Sequence, residues 1–375
     1  MRTLNYFLST NITMGEGELK NLNEHITALG SKTPIMIVDK SLEESEYLND
    51  IIEIVKSKYK NLLIINNDLD GEPTYDYLEQ KRNEVASFNP DLIIGIGGGS
   101  TMDIGKGVAL LLTNNRPALE LKGFPENVND PIPLMTIPSI FGSGSEVSYN
   151  AVFIDQNEGR KLGINTRKNF PKRTLIDPLL TMSAPENIVI SSAMDTLVHC
   201  VDSFGSNKSN PFSKMFSIEG FKRSFNTLLY EDIYIPNNRI NLAIGSICGI
   251  IALMNSGDGP TNGLAYYFGV KNKIPHGLAG GIFLKDVMSW NHNNGYNEYH
   301  KFINSDVDSN SILFNRFEEL YLKYKIPRLS DYGYGKEDIN RLAKNVSSAL
   351  EGSFSGNPIP FNLQSVKEIL KTQLN

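Results

Sequence analysis

Short apolar runs alternate with amphipathic stretches along the first half of the chain. The apolar runs predict buried β-strands at residues 34–39, 61–65, 91–96 and 134–138. Between them, residues 42–58 and 75–86 repeat their apolar positions with the period of a helix that buries one face. Strands that alternate with helices predict a mostly parallel sheet with right-handed crossovers.

Beyond residue 185 the apolar pattern changes to long stretches with helical period. They predict helices at residues 186–206, 211–229, 238–254 and 337–350. A capping-box pattern that starts at Ser365 predicts the beginning of the last helix, and residues 304–310 resemble a surface loop. The chain therefore predicts an α/β domain over residues 1–180 and an all-helical domain over residues 181–375. The cleft between two such domains is the expected site.

Composition and charge narrow the class of protein. A chain of 375 residues is too long for one ordinary core, and 40% of it is apolar. The net charge of −6 and the lack of a dense basic run argue against nucleic acid or an anionic membrane as partner. No long apolar segment suggests a membrane helix, the first residues lack a signal-peptide core, and Cys200 and Cys248 are too few for a disulfide framework. We therefore expect a cytoplasmic protein.

A glycine-rich run between residues 95 and 106 carries the strongest chemical signal. It reads Gly-Ile-Gly-Gly-Gly-Ser-Thr-Met-Asp-Ile-Gly-Lys and lies between the third predicted strand and a helix-like stretch. Glycines at such a junction let the backbone approach an anion closely, where the helix dipole favours negative charge. We interpret the run as a pyrophosphate cradle, the alternative being a tight turn that binds nothing.

Two further features of the first half bear on a dinucleotide. Asp39 ends the first predicted strand, where a carboxylate can accept hydrogen bonds from the adenosine ribose and repel the extra phosphate of NADP. Asp39 fits a turn or a helix cap equally well. The glycine-rich segment 139–146 follows the fourth strand and could line the far side of the cofactor, although an ordinary polar loop is the simpler interpretation. These features favour NAD over NADP.

Histidines supply the candidate chemistry of the second half. His199 follows Asp195 by four residues, so a helix places the imidazole and the carboxylate on one face, as a two-point chelate for a divalent metal. His276, between Pro275 and Gly277, could supply a third ligand. A surface hydrogen bond is the commoner role for such an Asp–His pair. The remaining histidines have polar neighbours in sequence and are predicted to lie on the surface: His25, His292 and His300.

Together these motifs resemble those of the iron-containing, or group III, alcohol dehydrogenases. The family pattern Gly-Gly-Gly-Ser-x-x-Asp-x-x-Lys is matched in full from Gly97 to Lys106. Its second cofactor segment is matched in part at residues 138–146, where Ile140 and Phe141 replace small residues. The remaining family motifs are matched at residues 177–180, 195–199, 275–279 and 357–360. The likeness spans nearly the whole chain.

The resemblance implies an NAD(P)-dependent alcohol or aldehyde oxidoreductase with a dehydroquinate synthase-like fold. Its helical domain would hold Fe²⁺ or Zn²⁺, which acts as a Lewis acid toward the substrate oxygen while hydride moves to or from the nicotinamide. Asp195, His199 and His276 would be the catalytic metal ligands, and the assembly would be a homodimer or larger. The implied cofactor-binding residues are Asp39, Gly97, Gly98, Gly99, Ser100, Asp103, Ser139, Ser143, Lys161 and Leu179.

One departure from the family concerns the metal. The family motif His-x-x-x-His is replaced by Asn262 and Tyr266, and an amide oxygen is a poor ligand beside imidazole for Fe²⁺ or Zn²⁺. The site could keep its metal through the other three residues, take a looser ion, or lose the metal and bind substrate directly through Asn262 and Tyr266. We favour retained but weakened metal binding.

The substrate class is the least determined part of the prediction. Residues 159–165 and 199–203 are similar to family members that oxidise the eight-carbon acidic sugar Kdo. Asn150, Asn262 and Tyr266 suit such a polar substrate, or they satisfy neighbouring backbone groups. A short-chain alcohol, a diol or phosphonoacetaldehyde also fits. Two other classes of function remain open, a dehydroquinate-synthase-like lyase or cyclase that uses NAD transiently and a catalytically impaired, NAD-binding paralogue.

Overall fold

The computed structural model describes residues 6–69, 71–303 and 310–374. The chain forms two compact units. One unit runs from Leu8 to Pro185, and the other comprises the chain from Glu186 onward together with Tyr6 and Phe7. Phe7 joins the second unit through its N–H, which donates to Asn255 Oδ1 at 3.2 Å.

The N-terminal unit contains a six-stranded, fully parallel sheet. The strand order is β1-β8-β5-β4-β2-β3. Among the described residues, four α-helices precede β5, and an antiparallel hairpin of β6 and β7 follows it. The strands are β1 (Asn11–Met14), β2 (Pro34–Asp39), β3 (Leu63–Asn67), β4 (Leu92–Gly97), β5 (Leu134–Pro138), β6 (Asn150–Asp155), β7 (Arg160–Asn165) and β8 (Arg173–Ile176), and the helices are α1 (Leu22–Ala28), α2 (Glu46–Lys58), α3 (Tyr75–Ala86) and α4 (Gly99–Leu111).

Both faces of this sheet are buried, which explains its continuous apolar strands. Alternate residues of β2 enter different cores, with Ile35 and Ile37 in the one that contains residues of α3 and α4. Met36 and Val38 enter the other, which contains residues of α1 and α2. The period of two along a strand sends neighbours to opposite faces, so the helices must cover both sides. The predicted α/β architecture is confirmed.

The C-terminal unit is helical. Its helices are α5 (Glu186–Gly205), α6 (Pro211–Tyr230), α7 (Pro236–Met254), α8 (Pro260–Asn272), α9 (His276–Asn293), α10 (Asn310–Tyr324), α11 (Ile339–Ala349), α12 (Glu351–Phe354) and α13 (Leu363–Gln373). No helix in the described ranges is long and apolar enough to cross a membrane. Of the predicted loop at 304–310, residues 304–309 lie outside the described residues, and Asn310 begins α10.

The capping-box prediction at Ser365 is wrong in register. Helix α13 begins at Leu363, and Asn362 is its N-cap. The Asn362 side chain accepts from the N–H groups of Gln364 and Ser365, while Ser365 Oγ accepts from the Asn362 N–H at 3.2 Å. Asparagine is as good an N-cap as serine, and Ser365 takes the position in the box that glutamate usually fills.

Candidate active site

The glycine loop joins the end of β4 to the start of α4. Gly98 is the N-cap of α4 and offers no side chain to the first turn. The first N–H groups of a helix have no partner within it, and Gly98, Gly99 and Ser100 are only half-buried. A Cβ atom on Gly97 would lie 2.7 Å from Asp39 Cβ, so this close approach of β4 to the end of β2 requires glycine. The loop therefore presents open backbone donors to an anion.

Asp39 lies beside this loop, at the end of the strand that neighbours β4. Its Oδ1 accepts from Ser41 N at 3.0 Å and from Ser41 Oγ at 2.7 Å, which caps the short 3₁₀ helix that follows. Its Oδ2 accepts from Thr101 Oγ1 at 3.0 Å. Asp39 is thus a local cap at the place a ribose-binding carboxylate would occupy, and its role toward a nucleotide stays a prediction.

The second glycine-rich segment packs directly on the loop. Ser139 N donates to Gly97 O at 2.9 Å. A Cβ atom on Gly99 would lie 2.7 Å from Ser143 Oγ, so the hydroxyl of Ser143 reaches the first turn of α4. Ser139 and Ser143 therefore lie against the glycine loop, and their role toward a cofactor stays a prediction.

A buried lysine ties this segment to α4. Lys106 Nζ donates to Ser145 Oγ at 2.7 Å and lies 3.2 Å from Asp103 Oδ1. Asp103 also accepts from Ser145 Oγ at 2.5 Å and from Val152 N at 2.9 Å. Burial raises the pKa of Asp103 and lowers that of Lys106, and their mutual attraction opposes both shifts. The Asp103 carboxylate is directed into the interior, where it supports the loops.

Three other predicted residues of this unit have local partners. Lys161 Nζ donates to Glu72 Oε1 at 2.6 Å. Leu179 N donates to Asp177 Oδ1 at 3.1 Å, and Asn150 Nδ2 donates to Asn165 Oδ1 at 2.8 Å. Their predicted roles toward cofactor and substrate stay predictions.

In the C-terminal unit, α5 carries Asp195 and His199, and α9 begins at His276. A Cβ atom on Gly277 would lie 2.0 Å from Ser191 O and 2.8 Å from Asp195 Cβ. The glycine thus lets the first turn of α9 lie directly against α5, which brings His276 to Asp195. This contact could not be inferred from the spacing of the residues along the chain.

The predicted metal residues converge in the structure. Asp195 Oδ1 lies 3.5 Å from His199 Nε2 and 3.7 Å from His276 Nε2. His276 Nε2 lies 3.0 Å from Asn262 Oδ1 on α8. The Tyr266 ring, one turn further along α8, has its centroid 4.6 Å from that of His276. All five residues therefore belong to one cluster, and Asp195 and His199 are buried in it.

The chemistry of this donor set fits a divalent cation in part. The two Asp195–His separations exceed the roughly 2.7–3.2 Å of ordinary N–H···O hydrogen bonds. They are close to the spacing of about 3–3.5 Å between ligands that each lie about 2.1 Å from one ion. Within residues 6–69, 71–303 and 310–374, no three His, Cys, Asp or Glu side chains form a group that could hold an ion by themselves. Binding of an ion by Asp195, His199 and His276 therefore requires the Asn262 amide oxygen as a further donor.

The surface assignment of His25 is wrong. His25 is only 9% exposed, and its Nε2 lies 2.6 Å from Glu18 Oε1, while Arg173 contacts its other ring nitrogen. Arg173 is 148 residues away along the chain, and Glu18 lies in the short 3₁₀ helix before α1, so the spacing within α1 indicates neither contact.

Sequence reasoning missed a buried carboxyl group, Asp202, three residues after His199 on α5. Burial raises its pKa to about 7, and the hydrogen bond from the Asn262 N–H opposes this rise. The signal was available, since residues 195, 199 and 202 share one helical face.

The raised pKa of Asp202 makes stability depend on pH. The native state holds the proton that the unfolded state releases near pH 4, so this contribution is complete below about pH 4 and is lost as the pH rises through about 7. Between pH 5 and pH 8 we expect the loss to reach about 3 kcal/mol. Asp202→Asn removes this titration. The free energy of unfolding of the variant minus that of the wild type should therefore be larger at pH 8 than at pH 5. Parallel pH profiles for the two proteins in urea denaturation would contradict the assignment.

The chain matches two family models. Residues 9–178 match the iron-containing alcohol dehydrogenase model, and residues 189–374 match the C-terminal model of the Fe-containing alcohol dehydrogenase family. An alcohol dehydrogenase of Thermococcus barophilus is 26% identical over 98% of both chains. A solved 1,3-propanediol oxidoreductase superimposes with a TM-score of 0.90 at 21% identity and covers 100% of both chains. A sulfoacetaldehyde reductase of Bifidobacterium kashiwanohense, solved with NAD⁺, superimposes with a TM-score of 0.89 at 19% identity. The match covers 100% of this chain and 99% of the reductase chain. With the two models together spanning almost its whole length, this chain belongs to the iron-containing alcohol dehydrogenase family.

Proposed function

We propose that the chain is an NAD-dependent dehydrogenase that interconverts a polar alcohol and its aldehyde or ketone. The observation that carries this proposal is the convergence of the buried residues Asp195, His199 and Asn262 with the half-buried His276 in one cluster. The chain that carries this cluster belongs to an alcohol dehydrogenase family. The small-molecule substrate, a homodimer or larger assembly and a cytoplasmic location belong to the same proposal.

The N-terminal unit would hold the cofactor. The first turn of α4 offers N–H groups and the positive end of its dipole to the pyrophosphate. Asp39 would accept hydrogen bonds from the ribose hydroxyls and repel the extra phosphate of NADP, so NAD is the proposed cofactor. Ser143 would line the same loop from the other side.

Asp195, His199, His276 and the Asn262 amide would hold a divalent ion, Fe²⁺ or Zn²⁺. When bound, the ion supplies Lewis acidity toward the alcohol oxygen. His276 Nε2 and Asn262 Oδ1 are 3.0 Å apart, which is also about the spacing of two ligands on one ion, so a single ion can contact both atoms. A neutral amide oxygen is a weaker ligand than imidazole. The spacing supports retained binding, and the weaker ligand supports weakened binding.

Polar groups around the cluster favour a hydroxylated substrate. Asn262 and Tyr266 supply an amide and a phenol beside His276. Two of the similar proteins are named for polar substrates, 1,3-propanediol and sulfoacetaldehyde. Within this class the acidic sugar Kdo is the finer proposal, for which Asn150 is a further candidate contact.

The proposal is tested with the purified protein in one set of assays. Metal content is measured, and NADH or NADPH is followed with short alcohols, diols, aldehydes and Kdo. We expect bound divalent metal and turnover with NAD in preference to NADP. Product formation without net NADH would instead indicate the lyase or cyclase chemistry. NAD binding without metal or turnover would indicate an impaired paralogue.

A further inference from the structure

Asp202 connects the helix that carries Asp195 and His199 to the helix that carries Asn262. We propose that Asp202 is a positioning residue of the ion-binding cluster, because its carboxylate fixes the place of Asn262 relative to His276. Asp202 is 6% exposed, and its Oδ2 accepts from the Asn262 N–H at 2.8 Å. This inference rests on the proposed function for its effect on activity, but its structural part does not.

The first turn of α8 has no cap of its own. Its N-cap is Gly259, which has no side chain, and Pro260 at the next position has no N–H. The first N–H groups of a helix need partners from outside it. The carboxylate of Asp202, on α5, supplies that partner from another helix.

The residue type at position 259 supports this arrangement independently. A Cβ atom on Gly259 would lie 2.7 Å from Asp202 Cγ and 2.9 Å from its Oδ1. The backbone of Gly259 has φ −132°, which any residue adopts, so glycine is needed here for space and not for conformation. The carboxylate is therefore packed against the start of α8 and has no room to move toward it.

Asn262 is held at both of its ends. Its backbone N–H binds Asp202 on α5, and its side-chain oxygen lies 3.0 Å from His276 Nε2 on α9. A binding cluster needs its members placed within about 0.5 Å. Without Asp202, α8 loses the contact that sets its first turn, and the amide oxygen can move away from the cluster.

The test compares Asp202→Ala with Asp258→Ala. Asp258 directly precedes Gly259, the N-cap of α8, but its Oδ2 accepts from Ser353 Oγ at 2.8 Å. The probe is Zn²⁺ alone, titrated into the purified, metal-stripped full chain by calorimetry. Partners of metal ligands typically contribute 10- to 100-fold in affinity, so D202A should weaken Zn²⁺ binding by about that factor. D258A should bind Zn²⁺ as the wild type does.

Two more variants separate positioning from loss of stability. Asp202→Asn keeps an oxygen that can accept from the Asn262 N–H, so it should recover part of the lost affinity. Gly259→Ala leaves Asp202 in place but disturbs its contact with the start of α8. This variant should therefore also lower the affinity for Zn²⁺. In kinetics with an alcohol substrate, D202A should lower kcat more than D258A at comparable thermal stability.

The proposal is overturned if D202A binds Zn²⁺ like the wild type, or if D258A loses as much affinity as D202A. A wild type that neither binds Zn²⁺ nor turns over an alcohol would defeat the proposed function. In that case a crystal structure of D202A still decides the inference. Separation of Asn262 Oδ1 from His276 Nε2 beyond hydrogen-bonding distance supports it, and an unchanged contact overturns it.

Discussion

Replacing His199 by alanine is expected to lower kcat/KM for the alcohol substrate about a thousandfold. Loss of an ion's Lewis acidity removes several kcal/mol of transition-state stabilisation, and each 1.4 kcal/mol or so is tenfold in rate. His199 is buried beside Asp195, and only three donors of the cluster would remain, one of them an amide. Steady-state rates of NADH formation measure the effect.

The matched control is His300→Ala. His300 lies outside the cluster, where its Nδ1 contacts Asn297 O at 2.7 Å. This variant should keep wild-type kinetics, and both variants should bind NAD with unchanged affinity because the glycine loop is untouched. A His199→Ala protein with wild-type kcat/KM would remove the cluster from the mechanism.

Replacing Lys106 by methionine is expected to reduce the free energy of unfolding by about 3–5 kcal/mol. The Lys106 side chain is fully buried, and its loss leaves the Asp103 carboxylate without a counter-charge in the interior. Methionine fills most of the volume of the lysine side chain, so the unpaired charge of Asp103, and not a cavity, accounts for most of the lost stability. Urea denaturation followed by circular dichroism measures it.

The double variant Asp103→Asn with Lys106→Met tests this explanation. Removing both charges of a buried pair typically costs far less than removing one, so the double variant should recover most of the lost stability. Lys20→Met, at an exposed lysine of the same unit, should change the free energy of unfolding by less than about 0.5 kcal/mol. If the double variant were less stable than K106M alone, packing and hydrogen bonds would outweigh charge at this position.

The strands that are buried on both faces could be predicted closely from sequence. The prediction matches β2 and β5 at both ends, whereas the predicted strand at 61–65 lies two residues before β3. The hairpin of β6 and β7 was missed. In β6 only alternate residues are buried, so no continuous apolar run marks it.

The residues of the candidate site could be predicted from the sequence, but the neighbouring residues that hold them in place could not. Regular spacing along one helix connects Asp195 with His199, and a resemblance to known motifs adds His276. The contacts of Asp202, Gly259 and Gly277 depend on how helices from distant parts of the chain pack. The helical spacing of Asp202 places it on the face of Asp195 and His199, but nothing in that spacing indicates its contact with α8.

Gly259 and Gly277 have a consequence for anyone who redesigns this protein. Neither has a positive φ, so a survey of backbone angles would mark both as safe places to introduce alanine for rigidity. Their neighbours rule this out, since an added methyl group would meet Asp202 at one position and the Ser191 carbonyl at the other. A library of variants designed for higher stability should keep both glycines unchanged. It should instead vary glycines with open space around them, such as Gly352.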